Sequence, residues 1–218
     1  MDANVNIKVC GITTLEDALM VAQYLIWALG FNFYKESPRY VAPETAAHII
    51  HRIPAHILCV GIFVNASLEH IAAIQKQTGI HAVQLHGDES LAFCRVVSEH
   101  VTGFVIKALP LRRQKDATTA ALYKDLGPVV VDAFHPNLYG GSGERCNWAL
   151  AASLSKEMPL ILAGGLSATT IVEALQEVVP YGVDVCSGLE SRPGRKCPDK
   201  VRDFMKQIQG MENYNAKN

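Results

Sequence analysis

No excess of one charge, no closely spaced cysteines and no apolar run of membrane length occur in this 218-residue chain. Each absence removes a class of function. Lys and Arg number 20 against 21 Asp and Glu, so the global basic bias of nucleic-acid or anionic-membrane binders is missing. The expected partner is therefore a small molecule, with no nucleic acid and no membrane. A bilayer-spanning helix needs about 20 apolar residues, and no run here approaches that. The start, Met1-Asp2-Ala3-Asn4, has neither a basic segment nor an apolar signal core, so a cytoplasmic location is expected. The six cysteines, Cys10, Cys59, Cys94, Cys146, Cys186 and Cys197, show no CxxC spacing. A disulfide framework or zinc site is not expected in a chain large enough to need no staples.

What is present is a regular alternation. Short apolar, β-branched runs lie at Val5 to Cys10, Ala28 to Phe33, Ile57 to Val64, Ala82 to His86, Gly103 to Leu109, Val129 to Phe134, Leu160 to Ala163 and Val183 to Cys186. Between them stand stretches with apolar residues three and four apart, such as Leu15, Ala18, Leu19, Ala22 and Ile171, Ala174, Leu175, Val178. Such spacing puts one stripe of a helix against a sheet. Runs without alternation, such as Val129-Val130-Val131, suit strands covered on both faces, as in parallel sheets. Strand and helix in strict alternation make parallel βαβ units. An open doubly wound sheet fits the same pattern, but eight units in this length favour the closed eight-stranded parallel (β/α) TIM barrel of the α/β class. With 49% hydrophobic residues one core is enough, so residues 1–210 are read as a single domain and 211–218 as a polar tail.

In such a barrel the active site lies at the carboxyl ends of the strands. Strands seven and eight end in Gly164-Gly165 and Ser187-Gly188, roughly twenty residues apart, the position of the phosphate site shared by many such barrels. Glycines let backbone approach a ligand, and N–H groups at helix starts hold phosphate. Tight βα turns are the plain alternative.

Cys10 ends its strand before a glycine, with Lys8 two residues back on the same face; a nearby cation would favour a thiolate. The alternative is an inert core thiol. Asp132 follows three valines, and an acid there needs a partner if it is buried. A thiolate base and a carboxylic acid together suit a proton-transfer isomerisation. Arg39, after Ser37-Pro38, is placed either to grip a carboxylate through two hydrogen bonds or to sit on the surface. His86 is a rim histidine satisfied by a neighbour or a substrate contact. The long stretch Ala133 to Asn147, with Pro136, Gly140, Gly141 and Gly143, is read as a lid in preference to a plain insertion.

These tips in order resemble the phosphoribosylanthranilate isomerase family. The resemblance is carried by Lys8-Val9-Cys10-Gly11-Ile12-Thr13, Leu29-Gly30-Phe31, Ser37-Pro38-Arg39-Tyr40-Val41, Val60-Gly61-Ile62-Phe63-Val64-Asn65, Val83-Gln84-Leu85-His86-Gly87, Gly140-Gly141-Ser142-Gly143, Trp148, Leu162-Ala163-Gly164-Gly165-Leu166 and Ser187-Gly188-Leu189-Glu190. It implies an Amadori rearrangement in tryptophan biosynthesis, from N-(5-phosphoribosyl)anthranilate to 1-(o-carboxyphenylamino)-1-deoxyribulose 5-phosphate, with no metal and no redox cofactor. By resemblance Asp132 is the general acid and Cys10 the general base. Arg39 would hold the anthranilate carboxylate, and Gly165, Ser187 and Gly188 the phosphate. A monomer or a homodimer is compatible. Rival readings are the histidine-pathway aminoaldose isomerase, which typically has two aspartates at tips one and six, and a non-catalytic sugar-phosphate-binding barrel, which needs neither Cys10 nor Asp132.

The chain departs from the family pattern at Leu25-Ile26-Trp27, where Gly-Ala-Asp is usual, at Cys186, where serine or asparagine is common, and at Cys197, where aspartate is usual. The first departure predicts altered packing on the stability face. Cys186 is expected to border the phosphate loop, and neither cysteine is expected to touch the acid or the base.

Overall fold

A computed structural model describes residues 5–132 and 146–215, with side chains to residue 211. The eight apolar runs form strands β1 (Asn6–Val9), β2 (Ala28–Asn32), β3 (Leu58–Phe63), β4 (Ala82–Leu85), β5 (Phe104–Pro110), β6 (Val129–Asp132), β7 (Leu160–Leu162) and β8 (Gly182–Val185). They pair in parallel in that order, and β1 closes on β8 with Asn6 opposite Gly182 and Val9 opposite Val185. The helices between them are α1 (Leu15–Val21), α2 (Pro43–Ile50), α3 (Leu68–Thr78), α4 (Leu91–His100), α5 (Gln114–Ala121), α6 (Trp148–Leu154) and α7 (Ile171–Glu177). After β8 come a 3-10 turn (Ser187–Leu189), a small antiparallel pair of β9 (Glu190–Arg192) and β10 (Arg195–Lys196), and α8 (Pro198–Asn215). This last helix runs five residues past the boundary read at 210.

Local chemistry explains where the helices start. Thr14, Ser67, Ser90 and Asn147 each accept a hydrogen bond from a backbone N–H in the first turn of α1, α3, α4 and α6, satisfying donors a helix cannot pair internally. The α1 stripe is shifted from the sequence reading. Asp17, Ala18 and Val21 face inward while Leu19 is 42% exposed. A buried acid takes part here because its carboxylate accepts the Lys196 N–H at 3.1 Å. Of the stripe predicted at α7, Ile171, Ala174 and the capping Val178 are buried and Leu175 is half-buried.

Two cores result. The larger lies between sheet and helices. The smaller fills the barrel itself with Ala28, Val60, Ala82, Ile106, Ala108, Val130, Ile161 and Ala163. Since side chains alternate across a strand, Lys8, Gln84 and Asp184 share that interior, and Cys10, His86, Asp132 and Cys186, each two residues beyond an interior position, face the carboxyl-terminal mouth. At the opposite end Trp27 stacks on Phe104, with ring centroids 6.3 Å apart, and meets Tyr181 edge-on at 5.8 Å. The Leu25-Ile26-Trp27 departure thus brings an aromatic ring to the floor of the barrel. Among the described residues no helix is long and apolar enough to cross a membrane.

Candidate active site

The mouth divides into two groups of side chains joined by Lys8. On the β1 and β8 side, Lys8 is fully buried and its Nζ donates to Asp184 Oδ2 at 2.7 Å. Burial works against this ammonium, but Asp184 and Cys10 outweigh it and its pKa is raised. Above it, Cys10 meets Cys186. Cys186, whose thiol donates to Glu190 Oε1 at 3.7 Å, favours a negative Cys10 sulfur through a hydrogen-bond interaction, burial opposes the charge, and Lys8 and Lys196 favour it; the Cys10 thiol is lowered to about 7. The same hydrogen bond together with burial pushes the Cys186 thiol well up. The expectation that Cys186 stands clear of the proposed base is therefore corrected. β1 and β8 are neighbours in the closed barrel, and 176 residues of separation hid this. Elsewhere burial alone raises a thiol, to about 12 at Cys59, and also dominates at Cys94 and Cys146.

Gly30 makes the space for Cys10. A Cβ there would stand 2.9 Å from the Cys10 sulfur and 3.1 Å from its Cα, closer than packed atoms come.

Arg39 is brought to this group by a stapled loop. Ser37 Oγ accepts from the Arg39 N–H at 3.2 Å and from Asn32 Nδ2 at 3.1 Å. The guanidinium reaches Glu190 in a bidentate pair, Nε to Oε1 at 3.0 Å and Nη2 to Oε2 at 2.8 Å. Lys196 also joins, its Nζ donating to Glu190 Oε1 at 3.1 Å and to the Cys10 carbonyl at 2.6 Å. Desolvation opposes the Glu190 charge, yet Arg39 and Lys196 hold its carboxyl below the ordinary value. Arg39 is thus no free surface cation. Glu190 was quoted only as part of a motif, and Lys196 carried no signal, since its partners lie 6 and 186 residues away.

On the β4 and β6 side, His86 Nε2 lies 3.8 Å from Asp132 Oδ2. Gln84 Nε2 stands 3.1 Å from His86 Nδ1. An amide nitrogen only donates, so with the amide oriented this way Nδ1 accepts and the imidazole proton is on Nε2, toward Asp132. Burial, then the charges of Lys107 and Lys8, lower the His86 pKa to about 3, so the ring is neutral. The β4 tip is held by a buried pair, Lys107 Nζ to Glu89 Oε2 at 2.9 Å, with Glu89 also accepting from the N–H groups of Asn65 and Gly87. Lys8 acts electrostatically on both Cys10 and His86. Its charge therefore reaches both the thiol on one wall and the histidine on the other.

The glycine tips also converge. Gly164 and Gly165 take left-handed φ of +83° and +63°, which glycine adopts without strain. At Gly188 an added Cβ would run into the Leu166 carbonyl oxygen, so the turn after β8 packs directly on the loop after β7. Most of the predicted lid, 133–145, lies outside the described residues. Among the described residues no cluster of His, Cys, Asp and Glu is arranged to hold a metal ion.

A sequence model of N-(5'phosphoribosyl)anthranilate (PRA) isomerase matches residues 7–207. An N-(5'-phosphoribosyl)anthranilate isomerase from Citrifermentans bemidjiense is 44% identical over 196 residues, 90% of this chain and 93% of the relative. One from Thermotoga neapolitana is 42% identical over 95% of this chain and 100% of its own length. Among solved structures, phosphoribosyl anthranilate isomerase from Thermotoga maritima superposes with a TM-score of 0.87 at 36% identity, covering 94% of this chain and 99% of that one. A phosphoribosyl anthranilate isomerase in complex with reduced 1-(o-carboxyphenylamino)-1-deoxyribulose 5-phosphate gives 0.84 at 36% identity, with the same coverage. Matched from β1 into α8, and at an identity well above what fold alone explains, this chain belongs to the N-(5'-phosphoribosyl)anthranilate isomerase family.

Proposed function

We propose that the protein converts N-(5-phosphoribosyl)anthranilate to 1-(o-carboxyphenylamino)-1-deoxyribulose 5-phosphate, with Cys10 as general base and Asp132 as general acid. The observation that carries this reading is a thiol lowered to about 7 at one wall of a mouth whose other wall presents a carboxyl group beside a neutral histidine. A base poised near neutrality and a separate proton source are what an aldose-to-ketose proton shift requires.

Asp132 gives a proton to the furanose oxygen as the C1–O bond breaks, and the nitrogen lone pair of anthranilate forms the Schiff base. The Cys10 thiolate then removes the C2 proton, and those electrons neutralise the iminium to give the enolamine, which tautomerises to the ketose. His86, neutral, brings no positive charge to Asp132 and offers its Nε2–H to the substrate or the carboxyl. The anthranilate carboxylate binds Arg39 and shares the guanidinium with Glu190. The phosphate rests on the N–H groups of Gly164, Gly165, Ser187 and Gly188. Clamps at both anionic ends hold C2 against the base, and such orientation supplies a large part of a rate enhancement.

The mechanism asks nothing of a metal or redox cofactor. A single chain carries every residue invoked, so either a monomer or a homodimer serves, and the reading places the enzyme in the cytoplasm. Freshly made phosphoribosylanthranilate mixed with the purified protein should lose its fluorescence at an enzyme-dependent rate; no decay above the uncatalysed rate would remove the reading.

A further inference from the structure

The two cysteines at the mouth have a chemistry apart from isomerisation. Val9 stands opposite Val185 in the β1–β8 pairing, and the Cys10 N–H donates to the Val185 carbonyl at 2.9 Å. Cys10 and Cys186 thus each follow directly on the last opposed pair of the two strands, Cys186 as the residue that opens the 3-10 turn. Neighbouring strands lie about 4.8 Å apart, inside the roughly 4.4–6.8 Å between Cα atoms that a disulfide spans. Both side chains face the mouth, each thiol shifts the other's titration, and the Cys186 sulfur is held there by Glu190 Oε1 at 3.7 Å. Two glycines leave room for them: a Cβ at Gly11 would stand 3.0 Å from the Cys186 sulfur, and one at Gly30 would stand 2.9 Å from that of Cys10.

We propose that Cys10 and Cys186 form an oxidation site at which hydroperoxides convert two thiols into a disulfide, so that oxidation reversibly withdraws the group at the tip of β1. That the crosslink stops turnover rests on the reading of Cys10 as the base; that it forms does not.

The chemistry balances in two steps. The Cys10 thiolate attacks one peroxide oxygen, the O–O bond breaks, and sulfenic acid and hydroxide result. The Cys186 sulfur then attacks the sulfenic sulfur as its proton leaves with the departing hydroxyl, forming the S–S bond and water. Two thiols give up two electrons and the peroxide accepts them. Thiolate character and a resolving cysteine alongside are the features of reversibly oxidised sites. Cys186, then Lys8 and Lys196, supply the first by favouring charge on Cys10 against burial, and Cys186 is also the second. The buried Cys59 and Cys94 have neither feature, since burial pushes their thiols up.

Reduced protein is treated with hydrogen peroxide, quenched by alkylation, digested and mapped by mass spectrometry, with turnover followed in parallel before and after dithiothreitol. The expected map joins the Cys10 peptide to the Cys186 peptide, turnover falls more than tenfold, and dithiothreitol restores it. In Cys186→Ser, scored against its own reduced rate, no crosslink forms, Cys10 proceeds to sulfinic acid, and dithiothreitol no longer restores the rate. Recovery of Cys10 as a free alkylated thiol, its crosslinking to Cys197 instead, or equal reversibility in Cys186→Ser overturns the proposal. If Cys186→Ser does not fold, the map of the unaltered protein decides alone. A Cys10–Cys186 crosslink with turnover intact upholds the oxidation site and removes Cys10 as the base, so the two failures are told apart.

Discussion

The two walls of the barrel mouth handle buried polarity in opposite ways. The β1 and β8 wall concentrates charge: Lys8 pairs with Asp184, and Arg39 and Lys196 converge on Glu190 beside the Cys10–Cys186 pair. The β4 and β6 wall presents His86, its charge suppressed by burial and by Lys107 and Lys8, next to Asp132. Lys8 favours a negative sulfur on one side and disfavours a positive imidazole on the other. Lys8 thus adds to the Cys186 interaction that lowers Cys10, and to the burial and Lys107 charge that keep His86 neutral, so one cavity can hold a thiolate on one wall and an uncharged ring on the other.

The comparison breaks first if either wall proves dispensable. Cys10→Ser and Asp132→Asn should each reduce kcat by about 10²- to 10⁴-fold, the range expected for removing a general base or acid, with circular dichroism unchanged. Near-normal turnover in either variant removes that residue's assignment. Next in size is Lys8→Met. It leaves the Asp184 carboxylate buried without its cation, and breaking a buried pair in this way costs about 3–5 kcal/mol. Urea unfolding should show it as a lowered midpoint, and a midpoint within error of the parent would mean that Lys8 does not balance Asp184.

The walls were not equally legible in the sequence. All eight strands and both glycine tips could be read from the chain, because β-branched runs and turn residues are local signals. Cys10 and Asp132 could be picked out because their residue type clashes with, or stands at the end of, an apolar strand, and Arg39 because it follows Ser37-Pro38 in the loop after the second strand. The Cys10–Cys186 hydrogen bond and the Arg39–Glu190–Lys196 cluster could not. They form when β8 closes on β1 and when β10 folds under the mouth, and such contacts leave no periodic trace. Leu19 was misassigned for a related reason: α1 turns Asp17 inward to meet the Lys196 backbone and rotates its apolar stripe.

Arg39 sharpens the comparison from the substrate side. Replacing it with alanine removes one charge-assisted grip, which is worth about 1.5–3 kcal/mol, so KM for phosphoribosylanthranilate should rise about 10- to 100-fold with kcat less affected. Glu190 then loses one of its two cations and keeps Lys196, so the fold should survive. An unaltered KM would show that the anthranilate carboxylate is held elsewhere.

The smallest effect separates the walls by their protons. The base must be deprotonated, so kcat/KM should fall as pH drops through about 7, the value to which the Cys186 hydrogen bond, opposed by burial and helped by Lys8 and Lys196, brings Cys10. An ordinary histidine would place a limb in nearly the same range, but burial, Lys107 and Lys8 lower His86 to about 3, out of that window. His86→Asn should therefore leave the position of the limb unchanged even if it lowers the plateau. Cys186→Ala removes a donor to the thiolate, a hydrogen bond worth about 1 kcal/mol or slightly more, hence about one pKa unit. Its limb should move toward higher pH, costing about fivefold at pH 7 and nothing on the alkaline plateau. A limb that moves with His86→Asn and not with Cys186→Ala would assign the titration to the β4 and β6 wall and reverse the division of labour drawn here.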